Sequence, residues 1–129
     1  MIYDSTFFIA LERKRKRTRP AAQAFLARHQ DHPARLPIIV FGELAAGYEA
    51  LEELRANIEP AYTVELLTEP IAWHASRIQR VVEAAGTPIG ENDTWIAAFA
   101  LALGEPLVSR DADFDRVVSA GIPLQLIRF

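Results

Sequence analysis

The sequence contains no cysteine, which excludes disulfides, thiolate metal sites and a cysteine nucleophile, and fits a reducing cytosol. No apolar run approaches the roughly 18 residues that a membrane-spanning helix needs, so no membrane partner is expected. The first residues lack a basic segment followed by an apolar core, and no secretion signal is expected. Glycine-rich phosphate loops are missing: GTPIG, residues 86–90, has neither P-loop nor G-x-G-x-x-G spacing. There is no G-x-S-x-G turn to expose a serine nucleophile. Lysine is confined to Lys14 and Lys16, and the three histidines, His29, His32 and His74, read as surface residues or half-buried caps away from any strand end. The expectation is a soluble, cytoplasmic protein whose only plentiful chemical equipment is carboxylate.

With 129 residues, 50% hydrophobic and 24% charged, the composition is that of one globular domain spanning 1–129. The net charge of −3 conceals an uneven distribution. Arg13, Lys14, Arg15, Lys16, Arg17 and Arg19 supply six of the 14 basic residues, leaving eight against 17 acids elsewhere. Such a block on an acidic body suits contact with a phosphate backbone; the alternative is a solvated helix end or surface loop.

The pattern along the chain alternates short apolar strands with helices. Met1–Asp4 reads as a buried strand with a helix opening through Ser5 and Thr6, and Ala21–Arg28 as a helix entered at Pro20. Residues 36–40, LPIIV, form a bounded apolar run expected to be a strand. Leu44, Gly47, Tyr48 and Leu51 recur at helical spacing and predict a helix over 41–54. A strand or extended link is expected over 63–67. Thr68-Glu69-Pro70 opens a helix with a capping hydroxyl, and Gly86 ends it. Another helix begins near Asn92 or Asp93 and stops at Gly104; strand 106–109, helix 114–120 and strand 124–127 complete the chain. This alternation predicts an α/β fold with a mainly parallel sheet.

Certain acids recur at equivalent places. Asp4 ends the first strand, Glu43 falls in the first turn after strand 36–40, Asp93 opens its helix, and Asp111 follows strand 106–109 with Asp113 and Asp115 behind. In parallel α/β sheets, strand C-terminal ends and the following helix starts share one edge, where ligands bind. Each acid alone could be a cap or a first-turn residue favoured by the helix dipole. Together they are placed to converge. Like charges about 5 Å apart repel by roughly 3 kcal/mol at an effective dielectric near 20, so such a cluster needs protons, basic partners or a cation. Oxygen-only donors favour Mg²⁺ or Mn²⁺. A carboxylate-bound ion of that kind suits phosphoryl chemistry.

The segments YDSTFFIA, IIVFGELAAG, IGENDTWIAAFAL and LVSRDADFDRV together resemble a PIN-domain ribonuclease of the VapC toxin kind. The resemblance implies a PIN-like three-layer fold, a parallel sheet flanked by helices, with an acidic Mg²⁺/Mn²⁺ site. It places the family's four acids at Asp4, Glu43, Asp93 and Asp111, with Asp4, Asp93 and Asp111 as metal ligands and Asp113 as an additional or water-mediated one. Thr6 matches the small polar residue after the first acid, Ser109 the Thr/Ser before the last, and Asn92 a residue that orients the loop. The basic run 13–19 is denser than the family pattern. Asp115 reads as a solvated helix-turn acid and Trp95 as core packing, with base stacking as its alternative.

The same resemblance implies metal-dependent endoribonuclease activity on an RNA substrate, a cognate antitoxin and a homodimer. Two other readings stand beside it. A phosphoacceptor receiver domain would need a lysine near the acidic pocket, and neither lysine is placed there. A non-catalytic RNA- or partner-binding module would retain the fold with vestigial acids.

Overall fold

The computed structural model describes residues 1–12 and 15–129. Arg13 and Lys14, two members of the basic run, lie outside the described residues. Five strands form one all-parallel sheet in the order β3-β2-β1-β4-β5, with β1 Ile2–Tyr3, β2 Arg35–Pro37, β3 Thr63–Glu65, β4 Leu107–Val108 and β5 Leu126–Ile127. β1 is central because both of its residues are buried, Ile2 fully and Tyr3 to 2% exposure, which leaves no face for solvent. Seven helices flank the sheet among the described residues: α1 Ser5–Leu11, α2 Arg19–Arg28, α3 Ile38–Ala45, α4 Leu51–Ile58, α5 Glu69–Ala84, α6 Glu91–Leu103 and α7 Asp113–Ser119. The fold is the α/β, parallel-sheet architecture that the alternation and the resemblance imply.

One contiguous cluster forms the core, with helices packed on both of its sides. α5, α6 and α7 contact one another, with Ile71, Ala75, Ile78 and Val82 giving α5 a buried stripe at helical spacing. α1 and α2 pack together through aromatics: the Phe7 ring lies 4.7 Å from Tyr3 and 5.9 Å from Phe25, all edge-on. α3 touches α1, α4 and α6 and so joins the two sides.

The run 36–40 is not a strand throughout. β2 stops at Pro37, which caps α3, and Ile38-Ile39-Val40 form that helix's first turn. A short apolar run does not distinguish a buried strand from a buried helix turn. Glu43 therefore sits in the second turn of its helix, not the first. The expected helix 41–54 is two helices: the chain breaks after Ala45 near Gly47, Ala50 is extended, and α4 runs on to bury Leu54 and Ile58. Glycine and an exposed small-residue stretch supply little to hold one continuous helix. Thr68 occupies the cap position of α5 but makes no capping hydrogen bond. The remaining strands are shorter than the runs that suggested them. Gly86 and Gly104 both take positive φ where α5 and α6 end, the left-handed geometry that suits glycine.

At the N-terminal edge of the sheet, Glu105 accepts from the Met1 amino group at 2.6 Å and from Arg35 Nε at 2.6 Å, while Arg35 also pairs with Glu65. Burial pushes the Glu105 carboxyl up, but the hydrogen bonds from the amino group and Arg35 outweigh it and hold it below the ordinary value. A depressed acid contributes stability that is present above its unfolded value and lost as pH falls through the folded one. Glu105→Gln is expected to cost about 1–2 kcal/mol in urea unfolding at pH 7. The difference from the parent chain should narrow as pH enters the acid range; a constant difference would assign the effect to packing.

Candidate active site

The opposite edge of the sheet gathers the acids. Asp4 follows β1 directly, is 2% exposed, and caps α1. Its Oδ1 accepts from Ser5 N at 2.7 Å; its Oδ2 accepts from the hydroxyls of Thr6 at 2.8 Å and Ser109 at 2.7 Å. Those donors offset the cost of burying a carboxylate among apolar neighbours. Each hydroxyl has one proton, and both are directed at Oδ2, so the 3.3 Å approach of Thr6 Oγ1 to Ser109 Oγ is a by-product of the shared acceptor. As acceptors the same oxygens take backbone N–H groups, Thr6 from Arg110 at 3.1 Å and Ser109 from Asp111 at 3.0 Å. The end of β4 is thereby fastened to the start of α1.

Asp93 lies in the first turn of α6, with Gly90 at the cap. Partial burial, and after it the negative charges of Asp111, Asp4, Asp113 and Glu43, push its carboxyl up from near 3.8 to about 6. Acids from three other segments, the end of β1, α3 and the β4–α7 link with the start of α7, thus act on this one carboxylate of α6. Gly90 has an ordinary backbone conformation, but a Cβ there would lie 3.3 Å from Asp93 Oδ2, so glycine leaves that oxygen room. Glu43 Oε1 accepts from Asn92 Nδ2 at 2.9 Å, whereas its Oε2 is buried without a hydrogen-bond partner. Asp111 Oδ1 accepts from the Asp113 backbone at 2.9 Å, and Asp113 pairs with Arg116 at 3.3 Å.

Two features of this edge escaped the reading of the sequence. Arg128 Nη1 donates to the carbonyls of Ser109 at 3.0 Å and Asp111 at 2.9 Å, and Nη2 to Asp115 Oδ1 at 2.6 Å. Arg110 reciprocates: its Nε donates to Phe129 O at 2.9 Å and its guanidinium lies 4.3 Å above the Phe129 ring centre. The parallel-sheet rule could have located them, because Arg128 and Phe129 follow β5 on the same edge as the acids. Of the other residues singled out, Trp95 packs half-buried against the core and His29 stacks on Phe25 at 4.1 Å as the cap of α2. Arg15, Lys16 and Arg17 are exposed and Arg19 is half-buried.

The PIN domain family model matches residues 1–119. The chain belongs to the PIN domain family. No curated protein matches this PIN domain in sequence. Among solved structures, VapBC-1 from nontypeable Haemophilus influenzae is similar at 27% identity and TM-score 0.74, covering 99% of this chain and 98% of its own. VapBC2 from Rickettsia felis, bound to a promoter DNA fragment, is similar at 21% identity and TM-score 0.77, with 99% and 98% covered. FitAcB from Neisseria gonorrhoeae is similar at 19% identity and TM-score 0.76, with 98% and 95% covered. The last two likenesses concern the fold.

The donor chemistry of this PIN domain fits a hard divalent cation: crowded carboxylate oxygens, one of them buried and unpartnered. Among the described residues no three acids stand as close as direct ligands of a single ion. Asp4 has less to offer than its position suggests, since Oδ2 accepts from the Thr6 and Ser109 hydroxyls and Oδ1 from the Ser5 N–H and, at 3.3 Å, the Ser5 hydroxyl. Among the described residues, no helix is long and apolar enough to cross a membrane.

Proposed function

We propose that the protein is a Mg²⁺/Mn²⁺-dependent endoribonuclease, the toxin of a VapBC-type pair, acting as a homodimer and restrained by a cognate antitoxin. The observation carrying this reading is the convergence of acids from three other segments on Asp93, on a fold shared with VapBC complexes. Of Asp4, Asp93 and Asp111, one or two would bind the ion directly and the rest through its waters, with Asp113 a further contributor. Bound there, a divalent ion supplies neutralising charge to a phosphodiester and acidifies a coordinated water.

The chain's own residues set up that chemistry. Thr6 and Ser109 hold Asp4 in one orientation. Asn92 occupies Glu43 Oε1 and leaves Oε2 as the acceptor for a proton from an incoming water. Arg116 holds Asp113 in place at the start of α7. The basic run would add phosphate contacts through Arg15, Lys16, Arg17 and Arg19, as well as Arg13 and Lys14.

The test is incubation of purified protein with mixed-sequence RNA in Mg²⁺, in Mn²⁺ and in EDTA, with the new 5′ ends mapped. Cleavage confined to the metal-containing reactions is expected, and intact RNA in all three overturns the enzyme reading. The toxin role predicts growth arrest on expression, relieved by the product of a small neighbouring reading frame.

The spacing of the acids gives some standing to the non-catalytic module, and a metal titration decides between the two. Mn²⁺ at 100 times its dissociation constant would stabilise the fold by about 2.7 kcal/mol, raising the melting temperature by several degrees. An unmoved melting temperature at millimolar Mn²⁺ favours the module.

A further inference from the structure

Three arginines border the acid cluster, and they are not equivalent. Arg116 is engaged by Asp113 and by the Pro88 carbonyl at 3.2 Å. Arg128 is consumed by Asp115 and two backbone carbonyls. Arg110 is exposed, and among the described residues no Asp or Glu side chain pairs with it. It is nevertheless held firmly. Its backbone N–H bonds to the Thr6 hydroxyl that also bonds Asp4, its Nε bonds to the Phe129 carbonyl, and one face of the guanidinium rests on the Phe129 ring. Phe129 in turn packs 4.8 Å from Phe7, in the aromatic core.

Stacking occupies the face of a guanidinium, and the Nε bond occupies one edge. Neither uses the in-plane N–H groups of Nη1 and Nη2, which form the fork that matches a phosphate. We propose that Arg110 grips a backbone phosphate of the RNA beside the scissile bond. The inference rests on RNA being the substrate. A polyanion approaching Asp4, Glu43, Asp93 and Asp111 meets like charge, and a cation held on the same edge of the sheet offsets part of that repulsion. Anchoring by Phe129 lowers the ordering cost of making the contact. Arg15, Lys16 and Arg17, though basic, have no comparable tie to the acid edge.

The experiment measures binding of a fluorescein-labelled mixed-sequence RNA 20-mer to the cleavage-deficient Asp93→Asn protein, in EDTA, across a potassium chloride series. Loss of one phosphate contact on a single strand makes the salt dependence of log K shallower by about 0.7. Adding Arg110→Gln to Asp93→Asn should produce that change and weaken binding about tenfold near 100 mM salt. Arg110→Lys should keep the slope, since the charge remains, but recover only part of the affinity. An unchanged slope in Arg110→Gln with a preserved melting temperature overturns the proposal. If Arg110→Gln destabilises the fold, Arg110→Lys and Phe129→Leu decide: both must keep the parent slope while losing affinity. Parent affinity in both overturns it. Failure of the unmodified protein to cleave or bind RNA at all would instead strike the nuclease reading on which the inference stands.

Discussion

Asp93→Asn is expected to abolish metal-dependent RNA cleavage while making the metal-free protein more stable. The loss of activity should reach at least about a thousandfold, since a bound ion contributes several kcal/mol of transition-state stabilisation and each 1.36 kcal/mol is tenfold in rate. The gain in stability stems from burial of the carboxylate first and from neighbouring charge second. Burial and neighbouring acids push the Asp93 carboxyl up to about 6, so the folded state holds this proton more tightly than the unfolded chain. Stability therefore falls as pH rises from the unfolded value near 3.8 through about 6, and the penalty is complete above that window. Because Asp93 is partly exposed, solvent screening reduces the penalty to about 1 kcal/mol. Urea unfolding in EDTA should show the Asp93→Asn variant more stable than the parent at pH 8 and indistinguishable from it near pH 4. With Mn²⁺ present the order should reverse. A variant less stable at pH 8 in EDTA would show that burial and like charge do not set the state of this carboxyl.

Phe7→Ala should have the largest effect on folding itself, about 3–5 kcal/mol. Phe7 is fully buried, with ring contacts to Tyr3, Phe8, Phe25 and Phe129 at 4.7, 6.0, 5.9 and 4.8 Å. Those edge-on pairs add to the cavity cost, against a total stability of about 5–15 kcal/mol for a domain of this kind. The residue stands one helical turn beyond Asp4, so its loss also loosens the end of α1 that Asp4 caps. Guanidinium titration of Phe7→Ala beside Phe7→Leu separates volume from aromaticity. A loss below about 1 kcal/mol in the alanine variant would mean that the helices are held chiefly by the α5–α6 side.

The acid edge was legible because it depends only on element order: any residue directly after a parallel strand, or opening the next helix, lies there. Asp4, Asp93 and Asp111 could be placed from alternation alone. Glu43 reached the same edge although its helix begins at Ile38, since a misread boundary moves a residue along the element without moving the element. The division of 38–58 into two helices was not legible, because Leu44, Tyr48 and Leu51 keep helical spacing across the break. The edge position of Arg128 and Phe129 follows from the same rule, but not their pairing with Ser109 and Arg110, each spanning 19 residues of chain, nor the Glu105 network spanning 70 and more. Pairings of that kind depend on loop paths and carry no periodic signal.

The hydroxyl pair on Asp4 bears on how an inert form of the protein should be made. Exchanging a carboxylate for its amide is the usual way to silence an acid while sparing the scaffold, and at Asp93 it is expected to do so. At Asp4 the amide nitrogen or oxygen must face the two O–H donors now bonded to Oδ2, Thr6 and Ser109, while the other faces the Ser5 N–H. Whichever way the amide turns, an NH₂ group confronts donors, and unmet buried partners cost about 1–3 kcal/mol. Asp4→Asn would undo the fastening between the first helix and the end of β4 as well as remove a charge. Work that needs an intact decoy, whether for trapping RNA or for isolating a protein partner, is better built on position 93 than on position 4.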